Sequence, residues 1–289
     1  MRNIVECVPN FSEGGDSRII DAIVRAIDGA GGVVLDRTAD ADHNRCVVTF
    51  AGSPETIAEA AFAGVVEAVA AIDLTRHKGV HPRIGAADVV PFVPVSGVTL
   101  EECAHIAQQV GERIWRELRV PVFFYEAAAR CSERVRLETV RLGAARMHPD
   151  LGDTPHPTAG FTIVGARKFL IAWNINLDTD RLDAARHIAR RIRFSSGGLP
   201  CVKALGLPLA SRNQVQVSMN LTDFEQTPLH VVFEAVAAEA RARGIAIAGA
   251  ELIGLIPAKA LQLSAGYDFR WENFRPDMVL ENRLADIMK

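Results

Sequence analysis

Five cysteines (Cys7, Cys46, Cys103, Cys131 and Cys201) are scattered over 289 residues, and no two form a Cys-x-x-Cys pair. An odd, dispersed set supports neither a disulfide framework nor a cysteine zinc site, and suits reduced thiols in a reducing compartment. No uncharged apolar run reaches the roughly 18 residues that a membrane span needs. The longest runs are broken by Glu59 and Glu67, or by Glu251 and Pro257. Excess positive charge is also missing: the formal net charge is −3, which argues against nucleic acid or an anionic membrane as a partner. A strand-like pattern begins at Asn3 and leaves no room for a signal peptide. No Gly-x-Gly-x-x-Gly follows a strand and no Gly-x4-Gly-Lys-Ser/Thr occurs, so nucleotide binding of those two kinds is unsupported. The expectation is a soluble cytoplasmic protein.

What is present is the composition of a well-cored globule, with 49% apolar and 23% charged residues. The length suits one large domain or two ordinary ones of about 150 residues. Positive charge is local, at Arg76–Arg83, Arg186–Arg193 and Arg241–Arg243, and local basic pockets suit a small anion. The densest stretch is Arg76-His77-Lys78-Gly79-Val80-His81-Pro82-Arg83-Ile84-Gly85-Ala86-Ala87-Asp88, set between two apolar segments. Loops on a rigid scaffold are where catalytic groups concentrate, and imidazole exchanges protons near neutrality. The bland alternative for any single residue here is a solvated loop charge. Gly79 and Pro82 exclude a regular helix around His81, which also disfavours a zinc pair of His77 and His81, because that spacing needs a helix. No metal is expected.

Short β-like runs alternate with longer helical ones. Strands are predicted at Asn3–Phe11, Val33–Thr38, Arg45–Ala51, Val89–Val95, Val120–Tyr125, Lys168–Leu177, Val215–Asn220 and Ile245–Ile256. Helices are predicted at Ser17–Ala30, from Pro54 to about Ile72 with Ser53 as N-cap, at Leu100–Leu118 capped by Thr99, from Cys131 to Met147, at Asp180–Phe194 and at Pro228–Arg243. Residues 148–165, with their prolines and glycines, read as a linker. Arg2–Phe11 aligns without gaps onto Lys168–Leu177, a weak sign of duplication. The expected fold class is α+β: two tandem ferredoxin-like (split βαβ) subdomains, residues 1–166 and 167–289, with helices packed on mainly antiparallel sheets.

Several blocks carry a family resemblance. Val5–Gly14, the Arg76–Asp88 loop, Gly165–Ala172, Asn174–Leu177 and Gln216–Glu225 together closely resemble the glutamate formimidoyltransferase (formiminotransferase) family, from residue 4 to about residue 263. The resemblance implies a homodimer of two-subdomain chains with folate in the groove between subdomains. It also implies transfer of a formimino group from N-formimino-L-glutamate to N5 of tetrahydrofolate, a step of histidine degradation that feeds one-carbon metabolism. The family's catalytic histidine lies in its His-Pro-Arg element, which here is His81, the expected proton shuttle. Leu151–Gly160 matches the family's folate-binding segment, so Gly152, Asp153, Thr154, Pro155, His156, Pro157, Thr158, Ala159 and Gly160 are candidate folate contacts; an interdomain linker is the plain alternative.

The chain departs from the family in two ways. Animal members continue into a cyclodeaminase domain, so a separate cyclodeaminase is expected as a partner here. Those members also tend to carry an acid where this chain has Thr38, which shifts any such role to Asp36, Asp40 or Asp42, or signals a different substrate.

The chemistry suggests further candidates. A cationic amidinium calls for carboxylates, and Glu6, Asp36 and Asp88 sit at strand ends or loop starts. Asn44, Arg45, Arg83 and Lys78 can hold the anionic glutamate parts of the substrates, Arg through its bidentate fork, and Asn10 is a further candidate substrate or folate contact. Asn174, Asn176 and Asn220 are polar residues in apolar strands, open to structural or ligand bonding. Two rival functions stay open: formyl transfer between 5-formyltetrahydrofolate and glutamate (or use of formiminoglycine), and a non-catalytic folate-binding module.

Overall fold

The stripe of Ile20, Ile23 and Ile27 folds as α1 (Ser17–Gly29), and the Asp16 carboxylate caps it by accepting the Arg18 N–H. Burial of each such isoleucine contributes about 2 kcal/mol. The computed structural model describes residues 3–41, 43–77, 83–209 and 212–287. The chain divides into two units, Met1–Lys168 and Phe169–Lys289. No helix among the described residues is long and apolar enough to cross a membrane.

The first unit begins with β1 (Ile4–Cys7) and β2 (Asn10–Phe11), one predicted strand interrupted at Val8-Pro9. Proline has no N–H for the ladder, and the pairing lapses there. After α1 come β3 (Val33–Asp40), β4 (Arg45–Gly52), α2 (Pro54–Ala71) and β5 (Ala87–Ser96). The unit continues through α3 (Leu100–Leu118), β6 (Val122–Glu126), α4 (Leu137–Gly143) and β7 (Thr162–Ala166). The caps predicted from sequence are in place: the Ser53 side chain accepts the Thr56 N–H, and Thr99 forms a reciprocal capping box with Glu102. β1 and β2 lie between β4 and β5, with β3 outside β4, and every pairing among these five is antiparallel. That is the split βαβ plan. The sheet then extends through β7 and β6, both paired in parallel, so it is mainly antiparallel with a parallel extension. One face packs Val5, Phe11, Val48 and Phe50 against Ile23, Ile57, Val65 and Ile114 of the helices. On the opposite face a smaller cluster joins Val89, Phe123, Tyr125 and Ile163 to Val140 and Ala144.

The second unit runs β8 (Ile171–Leu177), α5 (Leu182–Ile192), β9 (Val202–Leu209), β10 (Gln214–Leu221), α6 (Leu229–Arg241) and β11 (Ile247–Ile253). Two short helices, α7 (Ala258–Gln262) and α8 (Leu280–Ile287), follow. Its sheet has the order β11-β8-β10-β9, wholly antiparallel. Trp173, Ile175, Val217 and Met219 pack on Ile188, Ile192, Val232 and Val236. The protein is therefore α+β, with two tandem ferredoxin-like sheets carrying helices.

Three sequence expectations need correction. Residues 148–165 are not a linker: Leu151 bridges to Val122, and Thr162–Ala166 is the buried strand β7 between β5 and β6. Its partners are distant in sequence, which local composition cannot reveal. Cys131–Met147 is mostly irregular around Ser132–Arg134 and the two-turn α4. Strand β9 escaped prediction because Gly206 and Pro208 interrupt it; both are tolerated on an edge strand.

Candidate active site

One end of the first sheet collects the end of β2 and the starts of β4, β5 and β7, and backbone bonds stitch the adjoining loops together. Ser12 N–H donates to Ala86 O at 2.8 Å and its hydroxyl to Gly85 O at 2.7 Å. On the other side, Ala86 N–H donates to Ala159 O at 2.9 Å and Phe161 N–H to Ile84 O at 2.8 Å. The fit at Gly85 admits no side chain, since a Cβ there would lie 1.7 Å from Phe161 O. Leu74 N–H donates to Thr158 O at 2.8 Å, closing the segment from the side. The tail of the histidine-rich loop and residues 156–161 are thus one fastened structure.

Side chains gather on this frame. Arg45 Nη1 donates to Asn10 Oδ1 at 3.3 Å. Asn44, in the left-handed region at φ 47°, turns its amide oxygen to the Gly14 N–H at 2.8 Å. Arg83 reaches the carbonyls of His43 at 2.9 Å and Asn44 at 3.5 Å, and its guanidinium contacts the His77 ring. Burial first, and then the Arg83 charge, holds the His77 imidazole below its usual range, which favours the neutral ring. Asp88 is buried; it accepts the Ile84 N–H at 2.8 Å and pairs with Arg141 of α4. Burial and the nearby Arg141 charge depress the Arg45 pKa, partly offset by Asp40 and Asp88. Two guanidiniums in a half-buried setting make a place where an incoming carboxylate is favoured. Arg141 escaped sequence reasoning; it arrives from another element, and nothing in its local pattern marks it.

The register sorts the remaining candidates. Along β4, Arg45, Val47, Thr49 and Ala51 lie opposite Asp40, Asn10, Asp36 and Glu6 respectively. All lie on the face away from the helical core. At about 3.3 Å per residue, Asp36 stands roughly 13 Å and Glu6 roughly 20 Å along the strand from Arg45. Asn10, Asn44, Arg45 and Arg83 are therefore brought together, whereas Asp36 and buried Glu6 are set back. Asp40, level with Arg45, accepts from His43 N at 2.9 Å and meets His43 Nδ1 at 2.8 Å.

The Gly152–Gly160 segment is also divided. Gly152 (φ 81°) packs where a Cβ would meet the Trp115 ring at 2.7 Å, and Asp153, Thr154 and Pro155 are exposed. His156 and Gly160 exchange backbone bonds at 2.9 and 3.0 Å, and His156 Nδ1 accepts the Ala159 N–H at 3.1 Å. That ring nitrogen therefore serves the loop. Ala159 and Gly160 lie against Ile84–Ala86, half-buried Thr158 accepts the Leu74 N–H, and Pro157 is exposed. His81, Lys78 and Asp42 lie outside the described residues. Among the described residues, no three His, Cys, Asp or Glu side chains form a metal-ligating group. In the second unit, Asn174 and Asn176 are buried on β8 and bond to Glu251 and Glu272, while Asn220 is exposed.

Comparison with known proteins covers nearly the whole chain. Residues 4–167 match the formiminotransferase domain, N-terminal subdomain, and residues 172–283 match the formiminotransferase domain. A glutamate formimidoyltransferase of Streptococcus pyogenes serotype M1 is 47% identical over 98% of this chain and 99% of its own length. One from Thermoplasma acidophilum is 39% identical over 98% and 97%. The formimidoyltransferase-cyclodeaminase of Sus scrofa is 44% identical over 94% of this chain, which matches 54% of that longer protein.

Proposed function

This chain belongs to the formiminotransferase family, and we propose that it moves the formimino group of N-formimino-L-glutamate to N5 of tetrahydrofolate. The observation that carries the reading is end-to-end similarity to stand-alone glutamate formimidoyltransferases at up to 47% identity.

The reaction adds N5 of the folate to the amidine carbon, giving a carbon bonded to three nitrogens. The N5 proton must leave and the glutamate nitrogen must gain one before the old C–N bond breaks and glutamate departs. A single group near pKa 7 can do both, a role typically worth roughly 10²–10⁴-fold. His81 is assigned that role, through its place in the family's His-Pro-Arg element. Arg45 and Arg83, on the basic edge shared with Asn10 and Asn44, are assigned the glutamate carboxylates. Asp88 is committed to Arg141 and Ile84 N, and Asp36 and Glu6 stand back along β4, so Asp40, level with Arg45, is assigned the amidinium. Thr158–Gly160 is assigned to the folate side. A homodimer, a cytosolic location and a place in histidine degradation come with the family and complete the reading.

The test is steady-state turnover of wild type and His81→Ala with both substrates. The expected result is wild-type formation of 5-formiminotetrahydrofolate and a kcat loss of about 100-fold or more in the variant. Absence of wild-type turnover overturns the donor assignment; unchanged turnover in the variant removes His81 from the mechanism.

A further inference from the structure

The basic runs Arg186–Arg193 and Arg241–Arg243 are far apart in sequence, and the helical side of the second unit brings them together. Arg191 Nε donates to Glu239 Oε1 at 3.2 Å and Arg243 Nη1 to Glu239 Oε2 at 2.7 Å, which ties α5 to the end of α6. Beside this tie lies an open groove of about 390 Å³ whose charged and polar lining is Arg181, Asp183, Arg186, His187, Arg190 and Arg243.

Helix packing sets the stripe. Ala184, Ala185, Ile188, Ala189 and Ile192 are buried, so Asp183, Arg186, His187 and Arg190 share the outward side at spacings of three and four residues. The base is close-fitted: a Cβ on Gly206 of β9 would lie 2.2 Å from Arg186 N, so helix and strand meet backbone to backbone. Helix stability does not account for these arginines. Like charges four residues apart, as at Arg186 and Arg190, weaken a helix. The helix dipole favours cations in the last turn, which covers Arg190 and Arg191 but not Arg181 or Arg186. Ion pairing does not account for them either. Arg191, Arg212, Arg243, Arg275 and Arg283 of this unit each meet a carboxylate, whereas among the described residues none pairs with Arg181, Arg186 or Arg190. Four guanidiniums facing Asp183 and a shared Glu239 leave surplus positive charge in one concave place, on a chain whose net charge is −3.

We propose that this groove is a binding site for a condensed phosphate, a short chain of linked phosphoryl groups. Guanidinium forks match phosphate oxygens bidentately. The arginines of α5 are exposed, so water screens each contact and a singly charged anion gains little there. A ligand carrying several charges in a short length is what several screened forks hold together. The sequence has no Gly-x4-Gly-Lys-Ser/Thr phosphate loop, and in this groove side chains supply the charge in place of backbone N–H groups. A nucleoside triphosphate and free tripolyphosphate share the chemistry. The site lies within the second unit and does not depend on the proposed reaction.

Calorimetric titration of the full chain with sodium tripolyphosphate, at about 0.15 M salt so that distant charges are screened, tests the proposal. The expected result is saturable binding, with a Kd raised about 10-fold or more in the double variant Arg186→Gln/Arg190→Gln and in Arg243→Gln. Arg275→Gln, at an exposed arginine of the same unit outside the groove lining, should keep wild-type affinity. Without ligand, the melting temperature of the double variant should be unchanged or higher, because a like-charge pair is relieved. Tighter binding of ATP than of tripolyphosphate identifies a nucleoside triphosphate as the ligand, and equal or weaker binding identifies the free chain. Absence of saturable binding overturns the site, and so does equal weakening in Arg275→Gln. Citrate, a trianion without phosphorus, bound as tightly as tripolyphosphate overturns the phosphate assignment.

Discussion

The two units share one strand order yet use the face away from their helices in opposite ways. In the first unit, α4 lays Val140 and Ala144 over Val89, Phe123, Tyr125 and Ile163, so part of that face becomes a second small core. Asn10, Asn44, Arg45 and Arg83 are gathered at the sheet's end by loops fastened through backbone bonds. In the second unit, Asn174, Asn176 and Gln216 project mid-strand, where the ladder itself fixes their spacing. A single topology can thus offer polar groups from tied loops or from a rigid strand face. The loops give groups of different origin access to one place, and the strand gives fixed intervals. The first arrangement depends on buried ion pairs, Asp88–Arg141 and Asp150–Arg134, that clamp the residues around α4 to the sheet.

Asp88→Ala should therefore have the largest effect on stability. It strands Arg141 and frees the Ile84 N–H, and losing one partner of a buried pair costs roughly 3 kcal/mol. Hydrogen exchange should show lost protection in β5 and β7 with β8–β11 retained. Equal loss in both sheets would break the comparison, because the units would then unfold as one.

A smaller effect concerns His77. Its folded pKa lies below the unfolded value of about 6.5. The folded state therefore resists a proton that the unfolded state accepts. The stability this contributes is complete above about pH 6.5 and is lost as pH falls through the window toward the folded value. Arg83→Gln removes the neighbouring charge, so the His77 ring signals should titrate at higher pH by NMR. An unmoved midpoint would show that burial alone sets it.

The mildest test leaves the fold intact. Burial pushes the Cys7 thiol well up, and takes Cys46 and Cys103 to about 12, whereas Cys131 is exposed. A disulfide reagent on the native protein should modify Cys131 fast and leave those three silent until unfolding. Rapid reaction of Cys46, on the β4 strand beside Arg45, would show that the first sheet opens far more readily than its packing implies.

Much of this was legible in the residues. The spacing of Ile20, Ile23 and Ile27, the Ser53 and Thr99 caps and the alternation in β4 and β10 are local signals, each complete within one segment. The His81-Pro82-Arg83 element and the flanking family blocks pointed to the chemistry. Less accessible was Gly85, whose need for a bare Cα arises only from Phe161 O, and Glu272, which reaches Asn176 only because Gly249 stands between them.

By itself, the sequence determined most of the helices and strands, the two-unit plan and the family, because periodicity, caps and motif spacing act over a few residues. Tertiary structure alone decided that residues 162–166 are a buried strand and that Asp88 meets Arg141. It also separated Asn10 and Arg45 from Asp36 and Glu6, and left two amide oxygens on the second sheet, those of Asn176 and Gln216, to which no described residue donates. Each of these is fixed by groups far apart in the chain, brought within bonding distance only when strands pair and a core closes over them.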